Sequence, residues 1–175
     1  VLSGEGLDAI ILQLLSLESH GRGMSAWEDL VRRIRNPKGE VTIGIIGKYV
    51  TFEDSYKSLN EALSHGGFAN DVKVVRRWVE SDELHSANAD EKLGGVDGIL
   101  VPGGFGSRGT VGMVAAAEYA RKTGKPYFGI CYGFQWAVTE FARNVCGLAG
   151  ANSTEVDPDA PHKIIYKLQD LLGVE

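Results

Sequence analysis

The sequence predicts a doubly wound α/β fold, in which a mostly parallel sheet is flanked by helices, preceded by a helical linker. Three observations support this prediction. Residues 1–38 have a helical pattern, short apolar runs typical of strands begin at residue 41, and the segments between those runs have the period of amphipathic helices. Apolar strands that alternate with helices indicate a parallel sheet covered on both faces.

Residues 1–40 form the predicted helical linker. Two apolar stripes at helical spacing are separated by Gly21 and Gly23, which favour a break between two helices. Ser25 and Glu28 have the spacing of a capping box at the start of the second helix. The stripes consist of Leu7, Ile10, Ile11, Leu14 and Leu15, and of Trp27, Leu30, Val31 and Ile34.

Residues 41–175 form the predicted α/β domain, with strands at VTIGIIG, VKVVRRWV, DGILV and PYFGI. The first helix is expected to start within residues 51–54 and to stop at Gly66 and Gly67, and the second helix is expected to end at Gly124. The apolar residues that define the three predicted helices are Tyr56, Leu59 and Leu63; Met113, Ala116, Ala117 and Ala120; and Phe134, Val138, Phe141, Ala142 and Val145.

Charge and composition narrow the range of functions. The net charge is -5 and the basic residues are scattered, which argues against a nucleic-acid surface because phosphate binding needs clustered Lys and Arg. No apolar run reaches the length of about 18 residues that a membrane span requires. Two cysteines are too few for a disulfide framework and favour a reducing compartment. The sequence therefore predicts a cytoplasmic protein that binds neither nucleic acid nor membrane.

Cys131 lies where the strand predicted at PYFGI turns into the third predicted helix. A residue at such a sharp turn, followed by Gly133, has the context of a nucleophile elbow, in which the side chain is exposed above the edge of the sheet. The partial positive charge of a helix N-terminus favours a thiolate at this position. The backbone N–H of Tyr132 would then stabilise an oxyanion formed when the thiolate attacks a carbonyl group.

The glycine-rich segment PGGFGSRG follows the strand predicted at DGILV and lies at the same edge of the sheet. Ligands of such sheets bind beyond the carboxyl ends of the strands. Gly103 and Gly104 allow the backbone to adopt a positive φ and to approach a ligand closely. We therefore expect this segment to supply a second oxyanion donor beside Cys131. The turn and the glycine-rich segment together indicate an acyl-transfer site.

The residues alone leave alternatives to this interpretation. An isolated cysteine in an apolar run is more often a packed core thiol, and GGFG by itself is as consistent with a tight turn as with a ligand loop. The two motifs together favour a nucleophile at Cys131. Cys146 lies before Gly147 at the end of the helical pattern and is interpreted as a structural thiol.

A cysteine nucleophile of this kind normally needs a histidine base. His20 lies in the helical linker, and His65 ends the first predicted helix. His85 lies in a polar connection between strands, and His162 lies in a predicted loop. Since none follows a recognisable strand, the residues identify no base within the chain.

Several motifs carry a resemblance to a known family. GICYGFQ resembles the nucleophile motif of the class I glutamine amidotransferases, G-[IV]-C-[LY]-G-x-Q. GKYV, DSYKSLNEAL, VPGGFGSRG, EFARNV and ANSTEVDP, in this order, resemble the glutaminase domain of the CTP synthase family. The first residues, through RRIRNP and EVTIGIIGKYV, resemble the segment that joins that domain to the synthetase domain. The resemblance covers essentially the whole chain and implies a flavodoxin-like class I fold, truncated at both ends.

The resemblance implies a role for each site residue. Cys131 would attack the side-chain amide of glutamine to give a glutamyl thioester and ammonia, and the backbones of Gly104 and Tyr132 would form the oxyanion hole. Arg108 matches an arginine linked to allosteric activation by GTP. Glu155 suits the α-ammonium group of the substrate. The implied glutamine-binding residues are Gly104, Tyr132, Gly133, Phe134, Gln135 and Glu155.

The resemblance also implies partners and cofactors. Ammonia would pass to a synthetase domain of the same polypeptide, which phosphorylates UTP with ATP and aminates it to CTP in pyrimidine biosynthesis. ATP and Mg²⁺ would act in that domain, GTP would act as allosteric activator, and the glutaminase domain itself would hold no cofactor or metal. For the full-length enzyme the family implies a homotetramer.

The chain departs from the family pattern in three ways. Position 132 is usually Leu where this chain has Tyr132, and Phe134 replaces the usual Met. The family's catalytic His and Glu lie on a later strand, in an H-P-E type motif, which this chain does not reach, so we expect the chain alone to be inactive. The alternatives are the glutaminase domain of another class I amidotransferase, a DJ-1-like cysteine hydrolase and a non-catalytic module.

Overall fold

The computed structural model describes residues 4–18, 23–48 and 53–168. The chain divides into two compact units, Val1–Asn36 and Pro37–Glu175. Some features that the sequence singled out lie outside the described residues, namely His20, Tyr49, Val50 and the expected helix start at residues 51 and 52.

The first unit contains two helices, α1 (Leu7–Leu14) and α2 (Ser25–Arg35). Neither helix has a buried residue, so both predicted apolar stripes are accessible within this unit. The predicted capping box is wrong, because the carbonyl of Met24 already accepts the N–H of Glu28 at 2.9 Å. Met24 is therefore the N-cap residue and Ser25 lies in the first turn.

The second unit contains a four-stranded sheet formed by β1 (Gly39–Gly47), β2 (Val72–Glu80), β3 (Gly98–Val101) and β4 (Tyr127–Gly129). The strands lie in the order β2-β1-β3-β4, and every neighbouring pair is parallel. Each strand coincides with one of the apolar runs in the sequence. The parallel sheet confirms the predicted fold class.

The position of each strand explains its composition. β1 pairs with β2 along its nine residues and with β3 through Ile43–Ile45, so that Ile45 and Ile46 are fully buried. β2 lies at an edge of the described sheet and exposes Lys73 and Arg77. Charged side chains are common on edge strands because they discourage pairing with another chain.

Four helices accompany these strands: α3 (Lys57–Ala69), α4 (Ala89–Leu93), α5 (Thr110–Thr123) and α6 (Tyr132–Asn144). The strand order reverses after β2, so right-handed crossovers place α3 on one face of the sheet and α4 and α5 on the other. α6 packs against α5 and β4. The sheet is therefore doubly wound, and its switch point lies between β1 and β3.

The end of α3 differs from the prediction. The helix does not stop at Gly66 and Gly67 but continues to Ala69. A Cβ at Gly67 would lie 2.7 Å from the carbonyl oxygen of Val72, so this glycine allows close contact between helix and strand instead of ending the helix. The predicted end of α5 is confirmed, because Gly124 caps it with a φ of 71°.

α6 is confirmed as a helix, but its predicted apolar residues form its buried face only in part, since Ala142 is buried and Val138 is half-buried. Phe134 and Phe141 are 60% and 51% exposed, whereas Glu140 is buried. The guanidinium of Arg121, in α5, donates to both carboxylate oxygens of Glu140 at 2.6–3.1 Å. This ion pair between two helices makes a buried glutamate tolerable.

Two short strands were not expected from the sequence, β5 (Ala151–Ser153) and β6 (His162–Ile165). They form a separate parallel pair. They consist of ANS and HKII, so they lack the continuous apolar run that marked the equally short strands β3 and β4. No helix among the described residues has both the length and the apolar composition needed to cross a membrane.

Two helical glycines provide a matched test of the packing of α5. A methyl group on Gly112 would lie 1.9 Å from the carbonyl oxygen of Ser81, whereas one on Gly66 in α3 would meet no atom within 4 Å. We expect Gly112→Ala to lower the free energy of unfolding by about 2–3 kcal/mol through overpacking. Gly66→Ala should raise it by about 0.5–1 kcal/mol through helix propensity. Urea titration compares the two variants, and equal stabilities would contradict the close contact.

Candidate active site

Cys131 joins β4 to α6 at the carboxyl edge of the sheet. It is the N-cap residue of α6 and has a φ of 50° and a ψ of -103°. A positive φ is uncommon for a residue with a side chain, and such conformations cost about 1–3 kcal/mol where the surrounding structure holds them. This is the strained strand-to-helix turn that a nucleophile elbow requires.

Two glycines make this turn possible. A Cβ at Gly129 would lie 2.5 Å from the backbone nitrogen of Phe134, and a Cβ at Gly133 would lie 2.1 Å from the carbonyl oxygen of Val101. The first turn of α6 therefore lies directly on the backbones of β3 and β4. The hydroxyl of Tyr127 adds a link between β4 and α6, because it donates to the carbonyl of Gly133 at 2.8 Å.

Both cysteines are free thiols, and both are exposed. The exposure of Cys131 excludes the alternative of a packed core thiol. The interpretation of Cys146 as a structural thiol is wrong, because this residue lies beyond the end of α6 and is exposed instead of packed.

The backbone N–H groups at the start of α6 lie beside the thiol. Gly133 donates to the carbonyl of Ile130 at 3.0 Å, and Gln135 donates to the carbonyl of Cys131 at 3.2 Å. The N–H of Tyr132 has no hydrogen-bond acceptor within the described part of the chain. It is one of the unpaired donors that every helix N-terminus leaves, so it can bind an anion next to Cys131.

The loop between β3 and α5, residues 102–109, lies against this turn as the sequence predicts. A methyl group on Gly103 would lie 3.7 Å from the Cβ of Cys131. A methyl group on Gly104 would lie 3.5 Å from the ring of Tyr132. The structure therefore brings the two motifs together at one edge of the sheet.

The bends of this loop occur at its two later glycines. Gly103 and Gly104 allow a positive φ, but the positive φ values of the loop are those of Gly106, at 75°, and Gly109, at 72°. A Cβ at Gly109 would also lie 2.0 Å from the Oγ of Ser81. The C-terminal part of the loop therefore packs against the residue that follows β2.

Lys48 lies in this site, although the sequence analysis assigned no role to it. It directly follows β1, its side chain is buried, and its Nζ donates to the carbonyls of Phe105 at 2.5 Å and Gly106 at 3.1 Å. The Nζ also lies 4.8 Å from the centre of the Tyr132 ring. Burial, reinforced by the charge of Arg108, lowers the pKa of Lys48. A lysine after the central strand was the available signal, but such a residue alone is not specific.

Two of the predicted site residues hold the backbone of Gly106. The Oε1 of Glu155 accepts the N–H of Gly106 at 2.6 Å, and the hydroxyl of Tyr132 donates to its carbonyl. Tyr132 is buried, and its ring packs edge to face against Trp136 with 5.5 Å between centroids. Burial, together with the negative charge of Glu155, raises the pKa of Tyr132.

Arg108 links the loop to the ends of β1 and β2. Its Nη1 lies 3.2 Å from the Oδ2 of Asp82, and its Nη2 donates to the carbonyl of Lys48. The side chain is still 53% exposed. Its role in a response to GTP stays a prediction, because these contacts concern only the shape of the loop.

The other predicted glutamine-binding residues lie in the first turn of α6. Gly133 is buried against the backbone of β3, Phe134 is exposed, and Gln135 is half-buried. Gln135 and Phe134 directly follow the turn at Cys131, so both are close to the thiol along the chain. Their roles towards a substrate stay predictions.

No histidine among the described residues is hydrogen-bonded to Cys131. His65 lies within α3, and His85 lies in the connection between β2 and β3. The prediction that His162 lies in a loop is wrong, because it begins β6 and pairs with Ala151 of β5. Within this part of the chain, the nucleophile candidate therefore has no histidine partner.

Comparisons with known proteins identify relatives in sequence. The family described as "Glutamine amidotransferase class-I" matches residues 51–170. The CTP synthase of Acidobacterium capsulatum is 55% identical over 175 residues, which are 100% of this chain and 32% of that protein. The CTP synthase of Koribacter versatilis is 53% identical over 173 residues, which are 98% of this chain and 31% of that protein. The chain thus spans about a third of the length of these curated relatives.

A solved structure is similar in fold as well as sequence. It is described as "Trypanosoma brucei CTPS - glutaminase domain with bound acivicin", and it matches with a TM-score of 0.68 and 42% sequence identity. The match covers 74% of this chain and 51% of that one. This similarity supports the α/β fold class independently of the strand order.

The buried hydroxyl of Tyr127 makes stability depend on pH in the alkaline range. Burial raises the pKa of Tyr127 above its ordinary value. Above about pH 10 the unfolded chain loses this proton while the folded chain keeps it. We therefore expect the free energy of unfolding to fall as pH rises above about 10, by up to about 1.4 kcal/mol per pH unit from this group.

Tyr127→Phe removes this ionisation and isolates its contribution. At neutral pH the variant should be less stable than wild type by about 1 kcal/mol, because the carbonyl of Gly133 loses a hydrogen bond. This difference should close near pH 11, where only the wild type is destabilised by ionisation of its unfolded state. Urea unfolding at both pH values measures the difference, and parallel pH profiles would contradict it.

Proposed function

The chain belongs to the class I glutamine amidotransferase family, and from this premise we propose that it is the glutaminase part of a CTP synthase. In this proposal Cys131 hydrolyses L-glutamine, and the ammonia serves the ATP-dependent amination of UTP to CTP. The family match over residues 51–170 and the similarity of the whole chain to CTP synthases support it.

One observation carries the proposal, namely an exposed thiol in a strained turn beside a glycine-rich loop. Cys131 is exposed and has a φ of 50° at the N-terminus of α6, and Gly103 lies against it. Backbone strain of this kind persists where the surrounding structure over-determines it, and it is concentrated at functional sites. A cysteine that only fills space needs neither the strain nor the exposure.

The proposed chemistry uses the thiolate and two backbone donors. The thiolate of Cys131 attacks the side-chain amide carbon of glutamine, the C–N bond breaks as the leaving nitrogen takes up a proton, and ammonia departs. Water then hydrolyses the thioester to glutamate and restores the thiol. The N–H groups of Tyr132 and Gly104 stabilise the oxyanion in both steps, a contribution worth about 10²–10³ in kcat for each donor in enzymes that use one.

Substrate recognition is assigned to residues around the same turn. Glu155 holds the N–H of Gly106 with Oε1, which leaves Oε2 for the α-ammonium group of glutamine. Gly133, Phe134 and Gln135 are assigned to the rest of the substrate because they lie in the first turn of α6. An ion pair between Glu155 and the α-ammonium group would orient the substrate so that its side-chain amide faces Cys131.

The remaining steps are assigned to other parts of a longer enzyme, since the chain spans about a third of its relatives. A synthetase domain uses ATP and Mg²⁺ to activate UTP, and the complete enzyme is a homotetramer. GTP acts as allosteric activator through Arg108, which connects the loop at residues 102–109 to β1 and β2. Thiol chemistry at Cys131 itself requires no cofactor.

A glutamine-analogue electrophile tests the nucleophile. We expect acivicin, which the Trypanosoma brucei domain binds, to form one adduct on Cys131, because thiol and oxyanion donors lie together before substrate arrives. Intact mass and peptide mapping of the full-length protein measure the adduct. Cys131→Ser should abolish it.

Cys146→Ser is the matched control, since Cys146 is the other exposed free thiol. It should label as wild type does, and excess glutamine should protect Cys131. Labelling that glutamine does not prevent would favour a cysteine hydrolase of another kind. No labelling of the full-length protein at all would favour a non-catalytic module.

Turnover by residues 1–175 alone should be slow. No described histidine is bonded to Cys131, and a nucleophile without its base loses most of its rate. Glutamate release measured for this chain and for the full-length protein compares the two. Equal turnover numbers would show that residues 1–175 contain the base.

A further inference from the structure

The loop at residues 102–109 contains neither helix nor strand, so it depends on contacts with other elements. Three side chains converge on the backbone of one residue in this loop, Gly106. Lys48 and Tyr132 donate hydrogen bonds to its carbonyl, and Glu155 accepts its N–H. These three residues come from the end of β1, the start of α6 and the segment after β5.

Tyr132 connects Gly106 to the nucleophile candidate. Its backbone directly follows Cys131, and its side chain is only 1% exposed. Trp136 packs edge to face against its ring. The ammonium of Lys48 lies 4.8 Å from the centre of the same ring and also donates to the carbonyl of Gly106. The ring has little freedom to move, so the hydroxyl sets the distance between the turn at Cys131 and the loop.

The second oxyanion donor is attached to the same loop. Gly104 is two residues before Gly106, and a methyl group on it would lie 3.5 Å from the ring of Tyr132. Glycine has more backbone freedom than any other residue, so this donor is not held in place by its own side chain. Its orientation must come from the contacts at Gly106 and at the ring.

We propose that the Tyr132 hydroxyl and the Lys48 ammonium are positioning groups, which hold the backbone N–H of Gly104 in the oxyanion hole by bonding the carbonyl of Gly106. The inference rests on the proposed glutaminase function and deepens it. It gives the side chain of Tyr132 a role separate from that of its backbone N–H. Neither side chain contacts the reacting atoms, and both act through the loop.

Removal of the hydroxyl should slow the reaction without weakening substrate binding. Displacement of a catalytic group by about 1 Å can cost about 10²-fold, and Lys48 still holds the carbonyl of Gly106 when the hydroxyl is lost. We therefore expect Tyr132→Phe to lower kcat about 5- to 10-fold, with KM changed by less than about twofold. An equal loss in kcat and kcat/KM is the signature of an interaction that acts on the transition state.

The experiment measures glutaminase kinetics in the full-length protein. Tyr119→Phe is the matched control, because its hydroxyl bonds Asp90 at 2.9 Å between α5 and α4 and has no contact with the loop. Lys48→Met and the double variant complete a cycle with Tyr132→Phe. The double variant should lose more than the product of the two single effects, since each donor partly replaces the other at one carbonyl.

The outcomes separate this inference from the proposed function. Wild-type kcat in Tyr132→Phe, an equal loss in Tyr119→Phe, or a rise in KM alone would overturn the inference while the proposed function stands. A wild type that neither labels with acivicin nor hydrolyses glutamine would overturn both. Urea unfolding checks that each variant folds. If Tyr132→Phe does not fold, Lys48→Met tests the inference, which then requires a loss of kcat in that variant.

Discussion

The turn at Cys131 depends on direct contact between the backbones of neighbouring elements. Without a Cβ at Gly129 or Gly133, the first turn of α6 lies on β3 and β4, and the connecting residue is forced to a positive φ. The exposure of the thiol and its place beside the N–H of Tyr132 both follow from this geometry. A side chain at either glycine would separate α6 from the sheet and change all of these features together.

Polar contacts, and not apolar packing, fix the loop that completes the candidate site. Both backbone groups of Gly106 are bonded, the N–H by Glu155 and the carbonyl by Lys48 and Tyr132. Burial of Lys48 costs desolvation, as its lowered pKa reflects, and its hydrogen bonds to loop carbonyls offset that cost. The candidate site thus consists of the turn at Cys131 and the loop at residues 102–109, which is held in place by side chains of neighbouring elements.

Strong local patterns predicted the elements that position this site, while contacts between elements produced the differences. The four strands of the sheet lie in apolar runs and the main helices have a clear period, but β5 and β6 contain polar residues and are stabilised by pairing with each other. The buried face of α6 was predicted only in part, because it includes Glu140, which pairs with Arg121 of α5. Hydropathy cannot anticipate a charge that is neutralised by another helix.

The sequence by itself determined the fold class, the turn at Cys131 and the pairing of its motif with a glycine-rich loop, because period and glycine spacing are local properties of the chain. Only the tertiary structure decided that Lys48, Tyr132 and Glu155 meet at Gly106. These residues are 58, 26 and 49 positions from it along the chain. Their hydrogen bonds form only when the fold brings the ends of β1, β3 and β4 together with the segment after β5.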